Sequence, residues 1–90
     1  MSKVKVEKPS DAYLKKLDVT KWPIWESPVK KFDWEYDTNE IFYVIEGKAK
    51  VVTTEGEKVE FGKGDIVTFT KGVKCTWDVL EPIKKHYNFG

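Results

Sequence analysis

Glu40-Ile41-Phe42-Tyr43-Val44-Ile45-Glu46-Gly47 is the stretch on which the fold turns. Residues 41 to 45 are apolar at every position, so both faces need cover; that describes a central strand, not an edge. Gly47 is placed to end it. Residues 48–54 form the next strand, and Glu55-Gly56 is a hairpin turn. Upstream, Phe32, Trp34 and Tyr36 alternate with Asp33, Glu35 and Asp37, the period-two pattern of a half-buried strand. Asp37-Thr38-Asn39 supplies the turn between them.

Working outward, residues 3–7 alternate charged and apolar side chains as a first strand. Ser10 is an N-cap for a short helix over 12–17, with Tyr13, Leu14 and Leu17 on one side. Trp22-Pro23-Ile24-Trp25 is aromatic and proline-broken, and Pro23 and Pro28 suit edge positions. Gly62-Lys63-Gly64-Asp65 is a tight turn that needs unusual backbone angles. Residues 66–70 are a strand, Lys71-Gly72 a turn and 75–80 a strand. Pro82 breaks the chain before a last strand over 83–89. Eight or more short strands between regular turns indicate an all-β sandwich or barrel. The 90 residues fit one domain. Residues 1–29 give the first strand, the helix and a Trp/Pro-rich covering segment, and 30–90 give the barrel. In that covering segment Trp22 and Trp25 are expected over the barrel or at a dimer interface.

The chain carries 16 basic and 15 acidic residues, interspersed, for a net charge of +1. That balance gives no electrostatic footprint for nucleic acid or an anionic membrane surface. Aromatics reach 14%, with four Trp, four Tyr and five Phe, so few residues suffice to fill a small core. A single cysteine, Cys75, rules out an internal disulfide and argues for a reducing compartment. No apolar run is long enough for a signal peptide or a membrane span, and a cytoplasmic location is expected.

Residues 40–47 resemble the second half of the first cupin motif, in which a glutamate precedes a Tyr-Val-hydrophobic-Glu-Gly run. Gly64-Asp65, a strand, then Thr70-Lys71-Gly72 resemble the second motif, with threonine in the place of proline. Together with Cys75-Thr76-Trp77-Asp78-Val79, Lys85-His86-Tyr87 and Lys21-Trp22-Pro23-Ile24-Trp25, they resemble very short single-domain cupins of bacteria and plants. These are similar to the cupin domains of ureidoglycine aminohydrolase. The resemblance implies a small jelly-roll barrel (a double-stranded β-helix) with one short N-terminal helix, and a homodimer. Metal-binding cupins use three histidines and a glutamate, a set suited to a divalent Mn, Fe, Ni or Zn. Glu40 matches the glutamate, Trp34 and Tyr36 fall at the first two histidines, and Cys75 falls at the third. A longer spacing would use Asp33 and Glu35. Three of four ligands are then replaced, so no cofactor is expected; the alternative is a divalent Mn, Zn or Ni at a non-standard site.

Three residues are candidates for chemistry. Glu40 is a general base or a ligand anchor, or else a partly solvated carboxylate at a strand end. Cys75 shares a strand face with Trp77 and Val79 and is a ligand or nucleophile, or else a small buried hydrophobe. His86 is the only histidine and is an acid–base partner, or else a strand histidine bonded to backbone. Trp34, Tyr36, Phe42 and Trp77 form an aromatic wall for a ligand, or simply core. Two functions stay open at this level. One is an enzyme acting on a small polar metabolite, with C–N bond hydrolysis implied by the resemblance. The other is a metal-free module that binds a small ligand without turnover. The first requires Glu40 to converge with His86 or Cys75 on one cavity; the second requires only the aromatic cavity.

Overall fold

The computed structural model describes residues 3–89; Met1, Ser2 and Gly90, which the expected 1–90 domain includes, lie outside the described residues. The described elements are β1 (Val4–Glu7), α1 (Asp11–Leu17), β2 (Ile24–Ser27), β3 (Lys31–Glu35), β4 (Glu40–Thr53), β5 (Lys58–Gly62), β6 (Ile66–Phe69) and β7 (Lys74–Phe89). One turn of 3₁₀ helix, Val19–Lys21, joins α1 to β2. Ser10 caps α1 as expected, its hydroxyl accepting from the Tyr13 N–H at 3.1 Å. No helix among the described residues is long and apolar enough to cross a membrane.

All seven described strands belong to one antiparallel sheet. Its spine runs β1-β6-β4-β7-β2, with β3 also paired to β7 and β5 to β4. The fold is the expected cupin-type jelly roll, but the sheet curls over itself without closing into a ring of hydrogen bonds: β1 and β2 end the order. Thr53 closes the β4–β5 hairpin, its hydroxyl accepting from Glu57 N–H at 3.0 Å. The Gly62–Asp65 turn is clipped to β4. Asp65 accepts the Gly62 N–H on Oδ2, and the N–H of Val44 donates to the Asp65 carbonyl at 3.0 Å.

Fewer strands appear than the sequence suggests, because two of the expected breaks are bends. The strands expected over 41–45 and 48–54 merge into one, β4, which ends at Thr53; those expected over 75–80 and 83–89 merge into β7. The pairing of these strands shifts register between Val44 and Glu46, Glu46 and Lys48, and Lys48 and Ala49, which marks bulges. Gly47 adopts φ +88° there. A β-carbon on it would lie 2.1 Å from the Pro82 carbonyl oxygen, so the two backbones meet where neither tolerates more bulk. Proline, which has no N–H to donate, fits a point where the ladder is interrupted.

The bulges reverse which way β4 faces. Glu40, Phe42 and Val44 are buried before the bend; Ala49, Val51 and Thr53 are buried after it. On β7 the alternation passes straight through Pro82: Cys75, Trp77, Val79, Ile83 and Lys85 are all buried. Trp77 is the centre of the core. Its ring meets Phe61 edge-on at 5.2 Å and packs within about 6 Å of Phe42, Phe69 and Phe32. Tyr36 stacks on Phe69 at 4.4 Å. Such offset and edge-to-face pairs give more than their buried area alone.

Gly47→Ala should cost well over the roughly 1–2 kcal/mol of a left-handed backbone alone, whereas Gly56→Ala, at φ +91° with open space around it, should cost only that. Urea unfolding of the two variants checks this. Equal losses would show that the β4–β7 crossing accepts a methyl group.

Candidate functional site

Beyond the bend, the first half of β4 and the last half of β7 pair, with Glu40 opposite Phe89, Phe42 opposite Tyr87 and Val44 opposite Lys85. β2 and β3 flank β7, placing Trp25 opposite Lys85 and Phe32 opposite Trp77. The inward side chains leave a cavity of about 180 Å³. Trp25, Phe32 and Trp77 form one wall, Tyr36, Tyr87 and Phe89 stand around it, and Glu40 and Lys85 are its charged groups. Trp34 and Phe89, each 52% exposed, stand at the rim. The cavity is smaller than the about 300–1,000 Å³ of drug-sized sites, with room for only a few non-hydrogen atoms.

Lys85 Nζ lies 3.2 Å from Glu40 Oε2, and both side chains are 6% exposed. The ammonium also sits 3.8 Å from the centroid of Phe42, 4.9 Å from that of Trp77 and 5.0 Å from that of Trp25. Carboxylate and ring faces both favour the cation. Burial works against both charges. Desolvation pushes the Glu40 pKa up, against the pull of Lys85 and of the Tyr36 hydroxyl. Desolvation pushes Lys85 down, against the pull of Glu40. Burial, then the charge of Glu40, raises the Tyr36 phenol, which stays a neutral donor. The site is a neutral-sum pair in an apolar box, with a short path for a proton between its halves.

Of the residues singled out in the sequence, Glu40, Trp34, Tyr36 and Trp77 line this cavity. Phe42 is fully buried beneath the Lys85 ammonium. Cys75 and His86 lie elsewhere. The Cys75 thiol is 4% exposed and reaches the Trp34 carbonyl at 3.6 Å; burial and then the charge of Asp33 push its pKa up to about 11. His86 alternates with Lys85 and takes the other side of β7, where Nδ1 meets the Trp22 carbonyl oxygen at 2.9 Å. A carbonyl only accepts, so Nδ1 carries the proton in this contact. Glu40 therefore converges with Lys85, and with neither Cys75 nor His86.

Lys85 is the group that sequence reasoning misses; Trp25, expected over the barrel or at a dimer interface, lines the cavity. The signal for Lys85 is the parity of β7. If Cys75, Trp77 and Val79 face inward, the same alternation carried through Pro82 reaches Ile83, Lys85 and Tyr87 and sends His86 outward. A lysine in Lys84-Lys85-His86 nevertheless reads as solvated, because lysine is almost never buried without a partner. Here the partner, Glu40, is distant in sequence.

The positions that the resemblance assigns to a metal hold Trp34, Tyr36, Glu40 and Cys75, and these do not fit a divalent ion. Indole has no free lone pair, the phenol and thiol are held protonated by burial, and the carboxylate is already paired to an ammonium. Among the described residues no group of three or more His, Cys, Asp or Glu side chains is placed to hold one.

Residues 14–87 match the family model of the EutQ-like cupin domain. A DUF861 family protein from Thermotoga maritima is 57% identical and superposes with a TM-score of 0.96, over 97% of this chain and 99% of that one. The EutQ protein of Clostridium difficile is 29% identical with a TM-score of 0.67, over 73% of this chain and 52% of that one. A putative ethanolamine utilization protein Q from Salmonella typhimurium, 24% identical with a TM-score of 0.67 over 73% of this chain and 53% of that one, shares the fold. The chain thus spans about half the length of these two EutQ proteins. No curated protein matches it.

Two measurements check this geometry. At pH 8, iodoacetamide should alkylate Cys75 in the folded protein about 100-fold more slowly than in urea, since two pKa units separate about 11 from the ordinary 9.0; equal rates would mean an open, activated thiol. Lys85→Met should cost about 3–5 kcal/mol by stranding Glu40, while the double variant Lys85→Met/Glu40→Gln recovers much of that loss. The raised Glu40 value fixes a sign as well: above pH 4.5 the folded state holds a proton that the unfolded state has released. Wild-type stability relative to Glu40→Gln should therefore fall as pH rises from 4.5 through the raised value.

Proposed function

The chain belongs to the EutQ-like cupin domain family, and we propose that its cavity binds a small organic metabolite without a metal, holding the ligand's apolar body between aromatic walls and its polar group on Glu40 and Lys85. The observation that carries this reading is the buried Glu40–Lys85 pair itself. Both charges are desolvated at a cost, in a wall that apolar side chains would fill more stably. A polar ligand group would find an acceptor, a cationic donor and the neutral Tyr36 hydroxyl in one place. Trp25, Phe32 and Trp77 offer ring faces and edges to a flat or compact body.

C–N hydrolysis of the ureidoglycine type is the finer alternative. It would ask Glu40 to serve as general base to a water held by a metal. Glu40 is instead committed to Lys85, and the residues at the metal positions are poor donors, so binding asks less of this site than that reaction does.

Incubation with Mn, Zn or Ni followed by desalting and elemental analysis should leave no stoichiometric metal. Titration with benzyl alcohol, a ring with one hydroxyl, should change tryptophan fluorescence saturably, and Trp25→Ala should weaken that response. A retained stoichiometric metal, or no saturable response, would overturn the proposal.

A further inference from the structure

Lys85 alone among the described lysines is buried; the others are exposed or half-buried. Its amine is also part of the wall of a cavity that carries aromatic faces and a carboxylate together. A lysine amine held in an apolar pocket beside a proton acceptor is the arrangement that makes a carbonyl-trapping nucleophile. Given the binding reading above, on which this rests, we propose that Lys85 captures a small aldehyde or ketone as an imine, with Glu40 moving the protons.

The steps balance on the groups present. Lys85 passes a proton to Glu40 across 3.2 Å, leaving a neutral amine and a carboxylic acid. The amine nitrogen attacks the carbonyl carbon, and the carbonyl oxygen takes the proton from Glu40. Glu40 then removes a proton from the nitrogen, giving a neutral carbinolamine. It returns that proton to the hydroxyl, the C–O bond breaks, and water leaves with it. The nitrogen keeps one positive charge as an iminium, and Glu40 is again a carboxylate. The charge pattern at the end is the one at the start, so the same carboxylate and the faces of Trp25, Phe42 and Trp77 that hold the ammonium also hold the product cation. The rings restrict the partner to a compact carbonyl compound with an apolar body. Water has a route out past the rim at Trp34 and Phe89.

The alternative role for Lys85, a mere counter-ion that fills space, makes the opposite prediction about reactivity. A buried, paired ammonium should be the slowest lysine in the chain to react. The experiment is reductive trapping: the protein is mixed with benzaldehyde and cyanoborohydride at neutral pH, and peptides are mapped by mass spectrometry over time. Lys85 should be modified ahead of every exposed lysine and with saturable dependence on benzaldehyde. Glu40→Gln should slow the trapping at Lys85 by about 100-fold while the exposed lysines keep their rates; those rates and circular dichroism report that the variant is folded. Lys85→Arg keeps the cation and should lose the adduct at this site. Exposed lysines reacting first would overturn the imine. If benzyl alcohol still gives a saturable fluorescence change in that case, the binding reading survives; if it does not, both fall. An undiminished Lys85 rate in folded Glu40→Gln would overturn the part given to Glu40.

Discussion

The close approach of Gly47 to Pro82 is the constraint from which the rest of the architecture follows. It lets two long strands remain paired while both bend, so that one ladder serves two regions of the fold. On one side of the crossing β4 and β7 join β5 and β3; on the other they join β6 and β2, and the cavity draws Phe32, Trp34 and Trp77 from the first side and Trp25, Glu40 and Lys85 from the second. The bulges that accompany it on β4 change the parity of that strand and not of β7. Without that change, a strand with Phe42 and Val44 inward would carry Ala49 and Val51 outward.

The cavity is lined from both halves of the bent ladder, and its chemistry follows from one unusual occupancy. Trp77 and Phe42 are core residues by every measure of packing, yet both present ring surface to the Lys85 ammonium. The core and the site are thus one aromatic network with a charge set into its edge. A domain of 90 residues has a narrow stability margin, and a buried ion pair is weak evidence for stability at best. On the binding reading proposed above, the pair serves a molecule in the cavity more than it serves the fold.

Much of this was legible from the chain. The all-apolar run from Ile41 to Ile45, the glycine turns and the capped helix were readable because strand burial, positive φ and capping are local properties written in adjacent residues. Glu40 stood out for a related reason: a carboxylate at the head of an apolar strand has no local explanation. What escaped was non-local. Gly47 and Pro82 read as breaks, since nothing in either segment says that the two lie against each other. Cys75 and His86 attracted notice because their side chains are reactive types, but orientation, not type, decides what shares a cavity. Lys85 went unnoticed because its partner lies 45 residues away and its neighbours in sequence are polar.

The site also divides by how its residues are held. Glu40 and Lys85 are enclosed by the core, while Trp34 and Phe89 are half-exposed at the rim. The entrance can therefore drift under selection while the charged floor stays fixed. Relatives built on this scaffold can come to admit different molecules with little disturbance to the core, and a change at the rim is where such divergence would begin.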